Sequence, residues 1–139
     1  MNLKMLLAFI SLCLLLISIP SGSNSAELKI TDSSDKITII TGAKIDYTKY
    51  PSSFGFYKPD FERSGIRAII GDGVTTIYWR KIKEVKIISI YKANILLTNG
   101  DEHKVTLLHE SKKGLSGETD LGYFEIQLLS VKRIEVINP

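Results

Sequence analysis

Two histidines, a few neighbouring carboxylates and a dense run of aromatics are the side chains through which this sequence could act chemically. His103 and His109, the only histidines, are six positions apart. On one extended strand they would share a face about 20 Å apart, too far to ligate one metal ion. Asp101 and Glu102 beside His103 have the composition of an acid–base group. They follow Asn99-Gly100, however, where a hairpin tip displays solvated polar residues. Asp72 lies between Gly71 and Gly73, a turn whose glycines serve the backbone, and the alternating oxygen ligands of a calcium loop are missing. Glu118 and Asp120 flank Thr119 in a glycine-bounded loop and make half of a cation site at most. No serine has nucleophile-elbow spacing, and no glycine loop is built to cradle a phosphate. The sequence predicts no catalytic residue, no cofactor and no metal.

The aromatics are more informative. Tyr47, Tyr50, Phe54, Phe56, Tyr57 and Phe61 are six of the eleven aromatic residues outside the first 26 positions. Pro51, Gly55, Pro59 and Ser52-Ser53 discourage regular structure among them, which predicts a long ordered loop or lid. Such a segment has two uses. Its rings can plug an open end of the core, or, with Lys49, Lys58 and Arg63, form a binding face for a peptide, a glycan or a partner protein.

The elements that must position these residues begin after a leader. Lys4 precedes an uncharged apolar run from Met5 to Ile19, and Pro20-Ser21-Gly22-Ser23-Asn24-Ser25-Ala26 closes it. Charge, apolar core and small-residue exit are the parts of a secretory signal, with cleavage after Ser25 or Ala26. The expectation is therefore a signal peptide over 1–26, one domain over 27–139, and an exported protein, secreted, periplasmic or at the cell surface. The alternative is an uncleaved anchor over residues 5–19, although a spanning helix needs about 20 apolar residues. Cys13, the single cysteine, falls in the leader, so the domain has no disulfide, thiolate or cysteine–zinc chemistry. A formal charge of +3, or +2 without Lys4, is too small for a nucleic-acid binder.

Beyond Glu27 apolar residues recur with a period of two in short runs, the pattern of strands. Leu28-Ile30 and Ile37-Ile39 open the series, with a turn at Thr41-Gly42 and a strand over Ala43–Tyr47. Ile66–Ile70 and Thr75–Trp79 flank Gly71-Asp72-Gly73. Val85–Tyr91 is β-rich, Ile95–Thr98 meets His103–Leu108 across Asn99-Gly100, and Tyr123–Leu128 and Ile134–Ile137 finish the chain. Ile82–Val85 and Val131–Ile134, with apolar residues three apart, read as single helical turns. About ten short strands predict an all-β small barrel or sandwich.

There is also an internal echo. Gly73–Ile88 lies on Gly122–Ile137 without a gap, matching Ile77, Trp79, Ile82, Val85 and Ile87 to Ile126, Leu128, Val131, Ile134 and Val136. Ile37–Gly42 and Ile95–Gly100 stand as the strands preceding each copy. This reads as two similar β-units around one core, the matched residues forming it. The basic stretches Arg80–Lys86 and Lys132-Arg133 then fall in equivalent places, as a solvated surface or one for anions. Leu115-Ser-Gly-Glu-Thr-Asp-Leu-Gly122 with Val131-Lys132 and Ile134 resembles the closing segment of small uncharacterised β-domains of bacterial and archaeal exported proteins. Those carry a Gly-x-Thr-x-x-Gly stretch before a strand and a V-K-x-I turn. The resemblance implies fold rather than activity.

The functional expectation is an exported β-domain that binds or scaffolds at the cell envelope without catalysis. Its partner is a protein, peptide or glycan, not nucleic acid, and a membrane only if the leader stays attached. The rivals are a self-associating structural protein, joined through strand edges, and a small envelope hydrolase using Asp101, Glu102 or His103.

Overall fold

The computed structural model describes residues 26–48, 59–89, 91–107 and 114–139; all but Ala26 of the expected leader lies outside them. Eleven strands follow one another: β1 (Glu27–Asp32), β2 (Ile37–Thr48), β3 (Pro59–Glu62), β4 (Gly65–Ile70), β5 (Gly73–Tyr78), β6 (Ile82–Ile87), β7 (Lys92–Leu97), β8 (Glu102–Leu107), β9 (Gly114–Thr119), β10 (Gly122–Gln127) and β11 (Val131–Asn138). All pairings are antiparallel, in the order β10-β9-β2-β1-β11-β6-β7-β8-β4-β5, with β3 beside the far half of β2. The chain is all-β, and the sheet curls into a half-barrel.

That order is a palindrome, and the registers make it residue-specific. Adding 49 to a residue number in β4, β5 or β6 gives its counterpart in β9, β10 or β11. Subtracting 65 in β7 or β8 gives its counterpart in β1 or β2. Ile66 opposite Ile77 becomes Leu115 opposite Ile126, Val85 opposite Ile95 becomes Ile134 opposite Ile30, and Ile69 opposite Thr106 becomes Glu118 opposite Thr41. Val85 and Ile134, counterparts of each other, face one another across the β6–β11 seam, so a pseudo-two-fold axis passes between them. The first unit is β4 to β8, and the second is β9 to β11 completed by β1 and β2. The chain is a five-strand repeat, read twice, with the second copy opened between β11 and β1.

The echo over Gly73–Ile88 and Gly122–Ile137 is therefore structural, while two details of the sequence reading change. The strands preceding the copies are β4 and β9, not Ile37–Gly42 and Ile95–Gly100, which belong to the counterpart hairpins β1–β2 and β7–β8. The helical turns lie one step earlier, as 3-10 turns at Trp79–Lys81 and Leu128–Ser130, entered and left with nearly the same dihedral angles (Tyr78 φ −69°, ψ 140°; Gln127 φ −69°, ψ 136°). Ile82–Val85 and Val131–Ile134 are strand. A bulge in each, where the register slips between Ile82 and Glu84 and opposite Thr31 and Asp32, turns residues three apart to one face.

The core combines both units. Trp79, Ile82, Val85, Leu128, Val131 and Ile134 are buried, with Ile77 and Ile126 packed partly exposed against them. The Trp79 indole also donates to the Arg63 carbonyl at 3.2 Å, fixing the chain between β3 and β4. Thr41-Gly42 is not a turn. Gly42 (φ 61°) sits in a bulge inside β2, past which the strand leaves β1 and continues beside β9 and β3.

Candidate functional site

The tempting acid–base residues do not converge. Asp101, Glu102 and His103 are exposed on the β7–β8 hairpin. The Asp101 carboxylate accepts a 3.1 Å hydrogen bond from the Asn99 amide, whose oxygen accepts from Asp101 N at 2.9 Å, so the tip satisfies itself. His103 lies opposite Ile95 and Glu102 opposite Leu96, on alternate faces. Asp72 is exposed in the β4–β5 turn. Glu118 lies within β9 rather than in a loop, and the Thr119 hydroxyl, on the last residue of that strand, spends its hydrogen bonds on Gly122 O and Leu121 N. Among the described residues no group of three His, Cys, Asp or Glu could hold a metal ion, and no helix is long and apolar enough to cross a membrane. His109 lies outside the described residues.

Of the aromatic candidates, Tyr50, Phe54, Phe56 and Tyr57 lie outside the described residues. Tyr47 and Phe61 are placed by their backbone. The stretch is not loop throughout: Tyr47 is in β2 opposite Asp60, and Phe61 is in β3 opposite Asp46. Pro59 is tolerated as the first residue of this short strand. The repeat explains what the segment is. Residues 43–64, 22 positions, link Gly42 to Gly65, whereas their counterparts Leu107 and Gly114 are linked by residues 108–113, six positions. The aromatic stretch is an insertion that the five-strand frame does not require, although Ala43 and Ile45 at its start are buried in the core.

The repeat also exposes a surface that sequence alternation misassigns. Ile37 and Ile39 bracket Thr38 and look like a core face. Thr38 instead lies opposite buried Ile30, while Ile37 and Ile39 point outward, 53% and 48% exposed. With Leu121, fully exposed, and Tyr123, 61% exposed, they line a shallow groove of about 840 Å³ rimmed by Glu27, Lys36, Glu118 and Asp120. Their counterparts in the first unit are Glu102 for Ile37, Lys104 for Ile39 and Asp72 for Leu121. The same frame thus holds charges at these positions in one unit and large apolar groups in the other. Aligning residues 27–40 with 92–105 would have revealed this from sequence, but at an offset different from that of the visible echo.

No family model, no curated protein and no solved structure matches the chain.

The outer sheet face is ordered further into two rows crossing six strands. One runs Ile37, Thr31, Arg133, Lys86, Asn94, Lys104; the other Ile39, Lys29, Glu135, Glu84, Leu96, Glu102. The first is basic and the second mainly acidic, and the pseudo-axis exchanges them. The two basic stretches meet at the β6–β11 seam, where Lys86 lies opposite Arg133, while Lys83 is the counterpart of Lys132 and Arg80 stacks over the Tyr78 ring at 4.8 Å.

Proposed function

We propose that the protein is a non-catalytic binding module, exported to the cell envelope, that captures a protein or peptide partner with its second unit. The observation that carries this reading is the replacement of Glu102, Lys104 and Asp72 by exposed Ile37, Ile39 and Leu121 at matched positions. Large apolar groups held in water, where the frame accepts charge, are the composition of an interface. The aromatic insertion belongs to the same unit and supplies the residue types that dominate binding hot spots. The leader supports export.

The repeat supplies its own test. The triple variant Ile37→Glu, Ile39→Lys, Leu121→Asp imports residues that the first unit already carries, so it should fold with an unchanged melting curve. Partner capture from the organism's own envelope fraction should fall to background. Retained capture by the folded triple variant would reject this surface, and a double Tyr50→Ala, Tyr57→Ala variant then asks whether the insertion acts alone. Amino-terminal sequencing of the chain recovered outside the cytoplasm tests export, with a start at Ala26 or Glu27 expected.

A second reading is self-association. β5 and β10 end the main path of the sheet, with Val74, Tyr78 and Tyr123 on them exposed, and β3 pairs with β2 on one side, which leaves strand edges for pairing between copies. Light scattering over a concentration series distinguishes an oligomer from a monomeric binder.

A further inference from the structure

At the β6–β11 seam Lys86 stands directly opposite Arg133, and two residues along Glu84 stands opposite Glu135. Like charges in directly opposed positions repel, so each pair needs compensation. The acidic pair has it. Arg133 Nε lies 3.8 Å from Glu84 Oε1 and 3.8 Å from Glu135 Oε2, and Lys29 Nζ lies 3.5 Å from Glu135 Oε2. Lys132 is taken by Asp35 at 2.8 Å. Lys86 has no carboxylate within 4.0 Å among the described residues, which leaves one positive charge over.

Lys86 lines a groove of about 360 Å³ with Thr31, Asn94, Arg133 and the paired Asp35 and Lys132 around it, and Ile87 and Ile88 supply apolar wall. One of its polar groups is unsatisfied: Thr31 is only 5% exposed and its hydroxyl has no hydrogen-bond partner, whereas Arg133 Nε makes no hydrogen bond but faces the Glu84 and Glu135 carboxylates. A buried donor without an acceptor is costly, and repelling cations beside it add to the cost.

We propose that this groove binds a phosphodiester, its phosphate between Lys86 and Arg133, one oxygen accepting from the Thr31 hydroxyl and a substituent against Ile87 and Ile88. Lysine and arginine together are a phosphate-binding pair. A single surplus cation matches the single charge of a diester better than the higher charge of a monoester. The row from Thr31 to Asn94 crosses four strands, about 14 Å at ~4.8 Å per strand, which suits a phosphate with organic groups attached rather than the bare ion. The diester comes either from a phospholipid headgroup or from a small soluble compound, and the experiment separates them.

The test is binding of the full-length chain to soluble glycerophosphoglycerol, followed by phosphorus NMR, and to phosphatidylglycerol vesicles, followed by co-sedimentation. Saturable binding to the soluble diester supports a small ligand, and binding to vesicles alone supports a headgroup. In either case Lys86→Ala weakens it about tenfold, Thr31→Val weakens it severalfold, and Lys81→Ala, on the neighbouring turn, leaves it unchanged. Circular dichroism of each variant checks that it is folded. No binding to either probe, equal losses in Lys86→Ala and Lys81→Ala, or full affinity in Thr31→Val overturns the proposal.

Discussion

Gly65 shows how tightly single residues are held. A Cβ built there would overlap the Ile77 carbonyl and come within 2.8 Å of Tyr78 Cα, all of it backbone of the paired strand. Neither strand can yield without breaking the β4–β5 ladder. Gly65→Ala should therefore destabilise the domain by about 3 kcal/mol, measured as a lower urea midpoint with unchanged slope. Asp35 illustrates a different constraint. It takes a left-handed conformation (φ 63°) where its counterpart in the other hairpin is Gly100 (φ 94°), and it is tied to Lys132 at 2.8 Å. The hydrogen bond from that ammonium, then its charge, holds the Asp35 carboxyl below its ordinary value of 3.8. A depressed folded-state pKa adds stability above the unfolded value, and that stability is lost as pH falls through the folded one. Asp35→Asn, which tolerates the left-handed backbone, should lower neutral stability slightly and flatten the loss of stability below pH 3.8, so that the two proteins converge in acid. Parallel acid titrations of the two proteins, followed by circular dichroism, check it.

Between β2 and β4 the element scale separates frame from addition. The counterpart connection manages with residues 108–113, so the longer one contains chain that the sheet does not demand. Replacing residues 49–58 by a two-glycine link, which keeps Ala43 and Ile45 in the core, should preserve the melting temperature within a few degrees. Loop shortening changes closure entropy only slowly with length. A collapse of the thermal transition would instead make the aromatic rings a necessary plug. The same comparison explains β2 itself. Its first half is the counterpart of β8 and pairs with β1; its second half, past the Gly42 bulge, belongs to the insertion and pairs with β3. One strand thus serves the repeat at one end and departs from it at the other.

The pseudo-axis makes a demand on the whole molecule. β6 passes to β7 through residues 88–91, and the equivalent passage, from β11 to β1, is open, with Asn138 opposite Glu27 across the ladder. Joining Pro139 to Ala26 through a short glycine linker and opening the chain between Ser111 and Lys112 would yield two tandem five-strand units. This permuted protein should fold to the same sheet, with superimposable far-UV circular dichroism and a cooperative melt. Failure to fold would mean that the β1–β2 hairpin must form first. A single interior shared by both units supports cooperative unfolding, because neither unit closes a core alone: Val85 and Ile134, both fully buried, pack at the seam between them.

The amino-acid sequence by itself determined the strand grammar, the glycine turns at Gly71 and Gly100, and the burial of Trp79, Ile82, Val85, Leu128, Val131 and Ile134. Each of these depends on local alternation, turn stereochemistry or the clustering of large apolar residues. Ile37 and Ile39 were beyond it, because a period of two fixes which residues share a face and not which face meets the core. The partners that decide this, Ile30 for Thr38 and Glu135 for Lys29, are set by pairing across the sheet. For the same reason Lys86 opposite Arg133, close to Thr31, had no sequence signature: their adjacency exists only where β1, β11 and β6 come together.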